Sequence, residues 1–109
     1  MDWESTPYSN WYRSHRRFSF TAHYCIALYE DRKAIPDAIF KPFLKALACH
    51  SKGEEKLFPP GPDKERLLDD HSMIVPSKSY STHEKYEFCK SLLVHMKQEE
   101  QILSASIGS

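Results

Sequence analysis

The sequence lacks the features that mark membrane-spanning, secreted or strongly charged proteins. No apolar run approaches the roughly 18 residues that a membrane span requires. Residues 1–17 contain no apolar segment of the kind found in signal peptides. Net charge is also absent, because 15 Lys and Arg balance 15 Asp and Glu. We therefore expect neither nucleic acid nor an anionic membrane as the main partner.

The three cysteines are spaced neither as zinc ligands nor as a disulfide framework. The three cysteines, Cys25, Cys49 and Cys89, cannot all pair, and no two are spaced as CxxC. A zinc knuckle is excluded, and a reducing, cytoplasmic location is expected. We expect the cysteines to pack as small apolar side chains.

Strand-like alternation and internal repeats are missing as well, and the sequence patterns favour helices. At 109 residues the chain has room for one domain. We predict an irregular N-terminal arm at 1–11, four helices within 12–104, and a frayed tail at 105–109. The helices are expected at 12–33, from 36 (or only after 41) to 58, at 64–75 with Asp63 as cap, and from the capping box of Ser81 and Glu84 to about 103. Four helices with short connections predict an all-α, up-down-up-down antiparallel four-helix bundle.

Histidine and glutamate interrupt the apolar faces of these helices. On the second and fourth helices the inward positions advance by threes and fours, and each series includes a histidine followed four residues later by a glutamate. These pairs are His50 with Glu54 and His95 with Glu99. The third helix carries His71 on its apolar face. Each of these histidines occupies a position where the helical pattern predicts an apolar core residue.

Two carboxylates in a bundle core need a compensating charge. Neither stripe contains Lys or Arg at these levels. A bound metal is the simplest compensation, because imidazole and carboxylate are its usual ligands. The spacing HxxxE places both groups on one helical face, and it occurs twice. The sequence therefore predicts a metal site.

The numbering predicts which histidines share one layer. In an antiparallel hairpin, residues equidistant from the turn lie at the same height. Predicted turns lie at or beside three midpoints in the numbering. These are the midpoints of His23 and His50, of the His50–Glu54 pair and His71, and of His71 and His95. We therefore expect these four histidines in one layer. His15 lies roughly 12 Å along the helix from His23 and is expected outside, as is His83. Glu55 and Glu100 are expected to face outward or to contact the ligands.

Three segments resemble motifs of the hemerythrin-like (HHE cation-binding) domains. CHSKGEEKLFPP is similar to the second-helix motif HxxxEExxxFP, LLDDHSMI to the third-helix histidine segment, and LLVHMKQEEQIL to the fourth-helix motif HxxxEE. His23 falls where the first helix of that family supplies its histidine. The resemblance covers about residues 12–103. It implies a four-helix bundle around two non-haem iron ions, bridged by oxo or hydroxo and carboxylate groups, that bind dioxygen or sense oxygen and iron. The implied metal ligands are His23, His50, Glu54, His71, His95 and Glu99.

The chain also departs from the oxygen carriers of that family. Their third helix has HxxxH, whereas Val75 occupies the second position here. Their fourth helix has HxxxxD, so that either Glu99 or Glu100 is a candidate ligand. The set resembles more closely the hemerythrin-like domains of iron-sensing ubiquitin-ligase subunits.

These features favour a binding or sensing module over an enzyme. In the first hypothesis Glu54 and Glu99 bridge two irons, with His23 and His50 serving one iron and His71 and His95 the other. One alternative is a metal-regulated protein-interaction module that folds around a structural metal. Another is a diiron oxidase or a peroxide-handling enzyme, because a missing ligand would leave a coordination position open. Dioxygen or a related small ligand is the expected partner, and a protein partner is possible.

Overall fold

The computed structural model of the chain describes residues 2–58 and 60–107, and within them it contains four α-helices and no strand. The predicted all-α class is confirmed, and the arrangement is compatible with a helical bundle. A 3₁₀ turn at Trp3–Ser5 precedes the helices. These are α1 (Ser9–Glu30), α2 (Asp37–Glu54), α3 (Pro62–His71) and α4 (Thr82–Ile107). No helix in the described ranges has both the length and the apolar character to cross a membrane.

Several helix ends differ from the prediction because tertiary packing determines them. α1 begins within the predicted arm, where Trp11 is buried. α4 continues to Ile107, through part of the predicted frayed tail, and Leu103 near its end is 1% exposed. The last two residues of that tail lie outside the described ranges. α3 is shorter than predicted, because it ends at His71. The chain then turns, with Met73 N donating to Asp70 O and Ile74 N donating to His71 O.

The starts of α2, α3 and α4 follow local sequence signals. Asp37 begins α2 directly after Pro36, and Pro42 is accommodated inside the helix. The capping box is confirmed, because Ser81 N donates to Glu84 Oε1 at 3.0 Å and Glu84 N donates to Ser81 Oγ at 3.1 Å. Asp63 does not cap α3 as predicted. Gly61 holds that position with a φ of 150°, which L side chains rarely adopt.

Two apolar clusters fill the interior. The larger is built from α1, the linker after it, α2 and α4, and the smaller includes Trp11, Phe58, Leu67 and Leu103. Trp11 belongs to the smaller cluster, whereas Phe18, two turns later on α1, packs against the larger one. His15, the buried polar residue of α1 between these positions, therefore lies between the clusters. Cys25 and Cys89 are buried in the larger cluster as expected, but Cys49 is exposed.

Candidate metal centre

A layer of histidine and glutamate side chains lies between the two apolar clusters, with at least one ligand-type residue from every helix. Glutamates Glu54 and Glu99 are 3% and 1% exposed, although carboxylates are rarely buried without partners. In the described part of the chain no lysine or arginine forms an ion pair with either carboxylate. The layer consists of His15 from α1, His50 and Glu54 from α2, His71 from α3, and His95 and Glu99 from α4.

The side chains form two overlapping groups, in each of which the candidate ligand atoms lie within 4.8 Å of one another. Glu54 belongs to both groups. Its Oε2 atom lies 3.0 Å from His50 Nε2 and 3.5 Å from His15 Nε2 in the first group. Its Oε1 atom lies 2.8 Å from His71 Nε2 in the second. Each carboxylate oxygen therefore faces a different group, as in a carboxylate that bridges two metal ions.

Glu99 makes a similar connection from α4. Its Oε1 atom lies 3.2 Å from His95 Nε2 and 3.5 Å from His15 Nε2, and its Oε2 atom lies 3.2 Å from His71 Nε2. Two neighbouring ligands that are each about 2.1 Å from one ion lie about 3.0–3.4 Å apart, depending on the angle between them. The nitrogen–oxygen distances of the layer are close to this range.

Unpartnered nitrogen atoms give a second test of whether a metal fits. The buried Nε2 atoms of His15, His50 and His95 have no hydrogen-bond partner, although carboxylate oxygens lie close to all three. Buried polar atoms nearly always have a partner. Proximity to carboxylates without hydrogen-bond geometry is the expected arrangement of ligands around a shared ion, so the donor set fits a metal.

Carboxylates outside the layer hold two of the histidine rings. His95 Nδ1 lies 3.0 Å from Asp70 Oδ2, and His15 Nδ1 lies 3.0 Å from Glu100 Oε2. Such a bond keeps the proton on Nδ1 and leaves the Nε2 lone pair free for a metal. The indole N–H of Trp11 donates to Glu54 Oε2 at 2.7 Å. The sequence prediction did not include Trp11 or Asp70.

Without a metal, protons on the histidines compensate the carboxylates. Burial by itself lowers the pKa of His15, but the hydrogen bond to Glu100 and the nearby Glu54 carboxylate outweigh burial and raise this pKa to about 9. Burial likewise lowers the pKa of His71, and hydrogen bonds to Glu54 and Glu99 raise it to about 10. Burial raises the pKa of Glu54, whereas the close approach of His15, His50 and His71 lowers it well below its usual range. The layer is therefore a set of anions that binds cations, either protons or metal ions.

The structure brings five of the six predicted ligands together and leaves one out. The placement of His23 in this layer is wrong: its side chain is exposed on α1. The expectation that His15 lies outside is also wrong, since His15 is 2% exposed and belongs to the first group. His83 lies outside as predicted, exposed and bonded to Tyr29.

The error over His23 has a geometric cause. The prediction centred the first turn on Pro36, but the linker between α1 and α2 runs from 31 to 36, so its centre lies between Lys33 and Ala34. The same hairpin arithmetic with this centre pairs His50 with Arg17, close to His15. The buried stripe of α1 indicates His15, and not His23, as the histidine that faces the core. Its buried positions, Trp11, His15, Ala22 and Cys25, advance with helical spacing and omit His23.

The structure also separates the two glutamates of α4. Glu99 is buried in the layer, whereas Glu100 is half-buried and contacts His15 from outside. Glu55 approaches His71 Nδ1 only to 3.8 Å. Val75 is 38% exposed in the turn after α3.

A cavity of about 590 Å³ opens beside the layer. It lies between α4 and the segment that follows α3, and Asp70, Ile74, Phe88, Leu92 and His95 line it. Because His95 belongs to the second group, a small molecule in this cavity would reach the edge of the candidate centre.

Comparison of the chain with family models, with curated proteins and with solved structures finds no match.

Proposed function

We propose that this chain is a non-haem diiron protein of hemerythrin-like type that binds or senses dioxygen or iron. The observation that carries the proposal is the position of Glu54, which directs one carboxylate oxygen toward each of two histidine groups. Two metal ions that share carboxylates lie about 3.5–4 Å apart in two-metal sites generally. In this assignment His15 takes the role that the family resemblance implied for His23.

The proposed ligands divide between two ions. His15 and His50 would hold one ion and His71 and His95 the other, and Glu54 and Glu99 would be shared between them. Imidazole and carboxylate ligands suit iron, and also zinc or manganese, so the choice of iron rests on the sequence motifs. A pair of irons would supply reversible electron transfer to dioxygen. Apolar clusters flank the layer, and both carboxylates are almost fully buried.

The chain's own residues would prepare the centre for this chemistry. Asp70 and Glu100 orient the rings of His95 and His15. Trp11 donates a hydrogen bond to Glu54 and restrains one bridging carboxylate. An up-down-up-down antiparallel bundle would hold ligands from four helices at one height. The unpaired cysteines are consistent with a reducing, cytoplasmic setting for such a centre.

The two histidines of α1 provide a matched test. Protein purified without oxygen is loaded with Fe(II), and bound iron is counted before and after exposure to air, together with the optical spectrum. We expect about two irons per chain and a new charge-transfer absorption in air. His15→Ala should lose much of this iron, whereas His23→Ala should retain it. Stoichiometry well below two, or equal losses in the two variants, would refute the proposal.

The cavity beside His95 favours a second candidate function, a diiron oxidase or a peroxide-handling enzyme. At about 590 Å³ its volume is within the usual range of ligand pockets. Turnover of hydrogen peroxide above that of free iron, abolished in Glu54→Ala, would support this function. Turnover that Glu54→Ala leaves unchanged would exclude it.

A further inference from the structure

A chain of oxidisable aromatic rings connects the candidate centre to the protein surface. Trp11, 7% exposed, contacts two candidate ligands: its indole N–H donates to Glu54 Oε2 at 2.7 Å, and its ring centroid lies 4.1 Å from that of His15. The Trp3 ring lies 5.6 Å from Trp11. Tyr12 stacks on Trp3 with ring centroids 5.3 Å apart and an interplanar angle of 9°. Trp3 and Tyr12 are both partly exposed.

Hydrophobic packing explains why these rings are buried, but it does not explain their order. Phe58 packs against the same Trp11 ring, with ring centroids 6.5 Å apart, so the cluster also includes an aromatic ring that is not easily oxidised. On the Trp11 side of the centre, the rings that lead to the surface are instead tryptophan and tyrosine, the aromatic side chains most easily oxidised by one electron. Electron tunnelling weakens steeply with distance, so short hops between neighbouring rings are much faster than one long transfer.

We propose that Trp11 and Trp3, with Tyr12 stacked on Trp3, form an electron relay between the metal centre and the surface. This inference rests on the proposed function, since it needs a redox-active metal. Trp11 gives one electron to an oxidised centre, and its N–H proton stays within the hydrogen bond to Glu54. Trp3 returns one electron to Trp11, and an external one-electron reductant, such as a thiolate or ascorbate, returns one electron to Trp3. The net change is one electron from the reductant to the centre, with no proton gained or lost by the relay.

The relay can be tested with a photo-oxidant attached beside Trp3. Ser5 is exposed, two residues from Trp3, so Ser5→Cys in a Cys49→Ser background provides one reactive thiol, since Cys25 and Cys89 are fully buried. A ruthenium polypyridyl label on that thiol is oxidised by a laser flash and an external quencher. In protein loaded with Fe(II), transient absorption follows the tryptophan radical and the oxidation of the iron.

We expect iron oxidation after each flash to fall severalfold in Trp3→Phe and in Trp11→Phe. Phe58→Leu is the matched control, because it alters the packing around Trp11 without removing a relay ring, and it should transfer like the wild type. Trp11→Tyr should restore part of the transfer, which distinguishes relay chemistry from a folding defect. Unchanged transfer in Trp11→Phe, or an equal loss in Phe58→Leu, would overturn the relay.

Metal-free protein separates failure of the relay from failure of the proposed function. If iron counting finds no bound iron, the proposed function fails and the flash experiment is run without metal. The order of rings then predicts a severalfold lower tryptophan-radical yield in Trp3→Phe, because buried Trp11 is reached through Trp3. Trp11→Phe should retain the radical on Trp3. An undiminished yield in Trp3→Phe would overturn the relay independently of any metal.

Discussion

At the scale of single residues, the candidate centre depends on groups that hold the ligands as much as on the ligands themselves. A histidine binds a metal through one ring nitrogen, and the partner of the other nitrogen fixes the tautomer and the ring orientation. Asp70 provides this partner for His95, at 3.0 Å from Nδ1. Asp69, its neighbour on α3, is exposed and makes no side-chain bond to the layer in the described part of the chain.

These two aspartates give a matched prediction. Asp70→Asn removes the charge that keeps the proton on His95 Nδ1, so we expect metal affinity to fall about 10–100-fold. Asp69→Asn removes the same charge one residue away and should change affinity little. Competition with a chromophoric chelator measures both affinities. An equal loss in the two variants would mean that only the general field of α3 matters.

Five of the six residues of the layer could be predicted from the sequence, because each interrupts a regular apolar stripe. His50 with Glu54 and His95 with Glu99 are placed by helical periodicity alone. His15 was missed since its assignment depended on the length of a linker, and linker geometry is a tertiary property. Trp11 and Asp70 could not be predicted, because nothing in the spacing shows that an indole or an exposed-face carboxylate reaches a ligand from another helix.

At the scale of helices, the end of α1 is a Schellman motif with an unusual residue at its centre. Lys33 N donates to Leu28 O at 2.8 Å and Arg32 N donates to Tyr29 O at 3.0 Å. Arg32 has a φ of 59°, the left-handed conformation that usually requires glycine at this position. The linker that brings α2 against α1 therefore has a strained second residue.

Relief of this strain is a prediction for α1. Arg32→Gly should stabilise the protein by about 1 kcal/mol, because an L side chain in the left-handed region costs about 1–2 kcal/mol and glycine's extra freedom in the unfolded chain offsets part of the gain. Lys33→Gly, one residue later and outside the left-handed position, should give no such gain. Urea unfolding of the two variants measures the difference. A loss of stability in Arg32→Gly would contradict the strain.

The helix ends show where local signals suffice. The capping box of Ser81 and Glu84 fixed the start of α4 correctly, because both partners lie within one turn. The end of α4 was predicted too early, since burial of Leu103 by the smaller cluster stabilises turns that composition alone would leave frayed. Local chemistry thus determines the start of α4, whereas packing between helices determines how far it continues.

At the scale of the whole molecule, a layer of charge separates two apolar clusters, and its compensation depends on pH. The raised pKa values of His15 and His71, about 9 and about 10, mean that the folded state without metal keeps protons that the unfolded state loses near pH 6.5. Their contribution to stability is complete below pH 6.5 and is lost as pH rises through 9 to 10. Glu54 has a lowered pKa, so its contribution is lost as pH falls below 4.5.

The metal-free protein is therefore expected to be most stable between the two limits, near pH 4.5 to 6.5. Above this range its free energy of unfolding should fall by about 1.4 kcal/mol per pH unit for each histidine that stays protonated only when folded. Urea unfolding at several pH values measures this slope, with His23→Ala as a variant that should keep it. Stability that stays constant or rises between pH 6.5 and 9 would contradict the assignment.

Metal ions should reverse this pH dependence, because they bind only deprotonated imidazole. Binding must displace protons from His15 and His71, so we expect affinity to rise from pH 6.5 to 9 and protons to be released. Calorimetry in buffers of different ionisation enthalpy counts these protons.

Metal at about 100 times its dissociation constant should stabilise the protein by about 2.7 kcal/mol, and the affinity gained with pH increases this effect at a fixed metal concentration. Glu54→Gln should lose most of the stabilisation, whereas Glu55→Gln, its half-buried neighbour, should keep it. If binding released no protons and left the unfolding free energy unchanged, the metal would lie outside this layer.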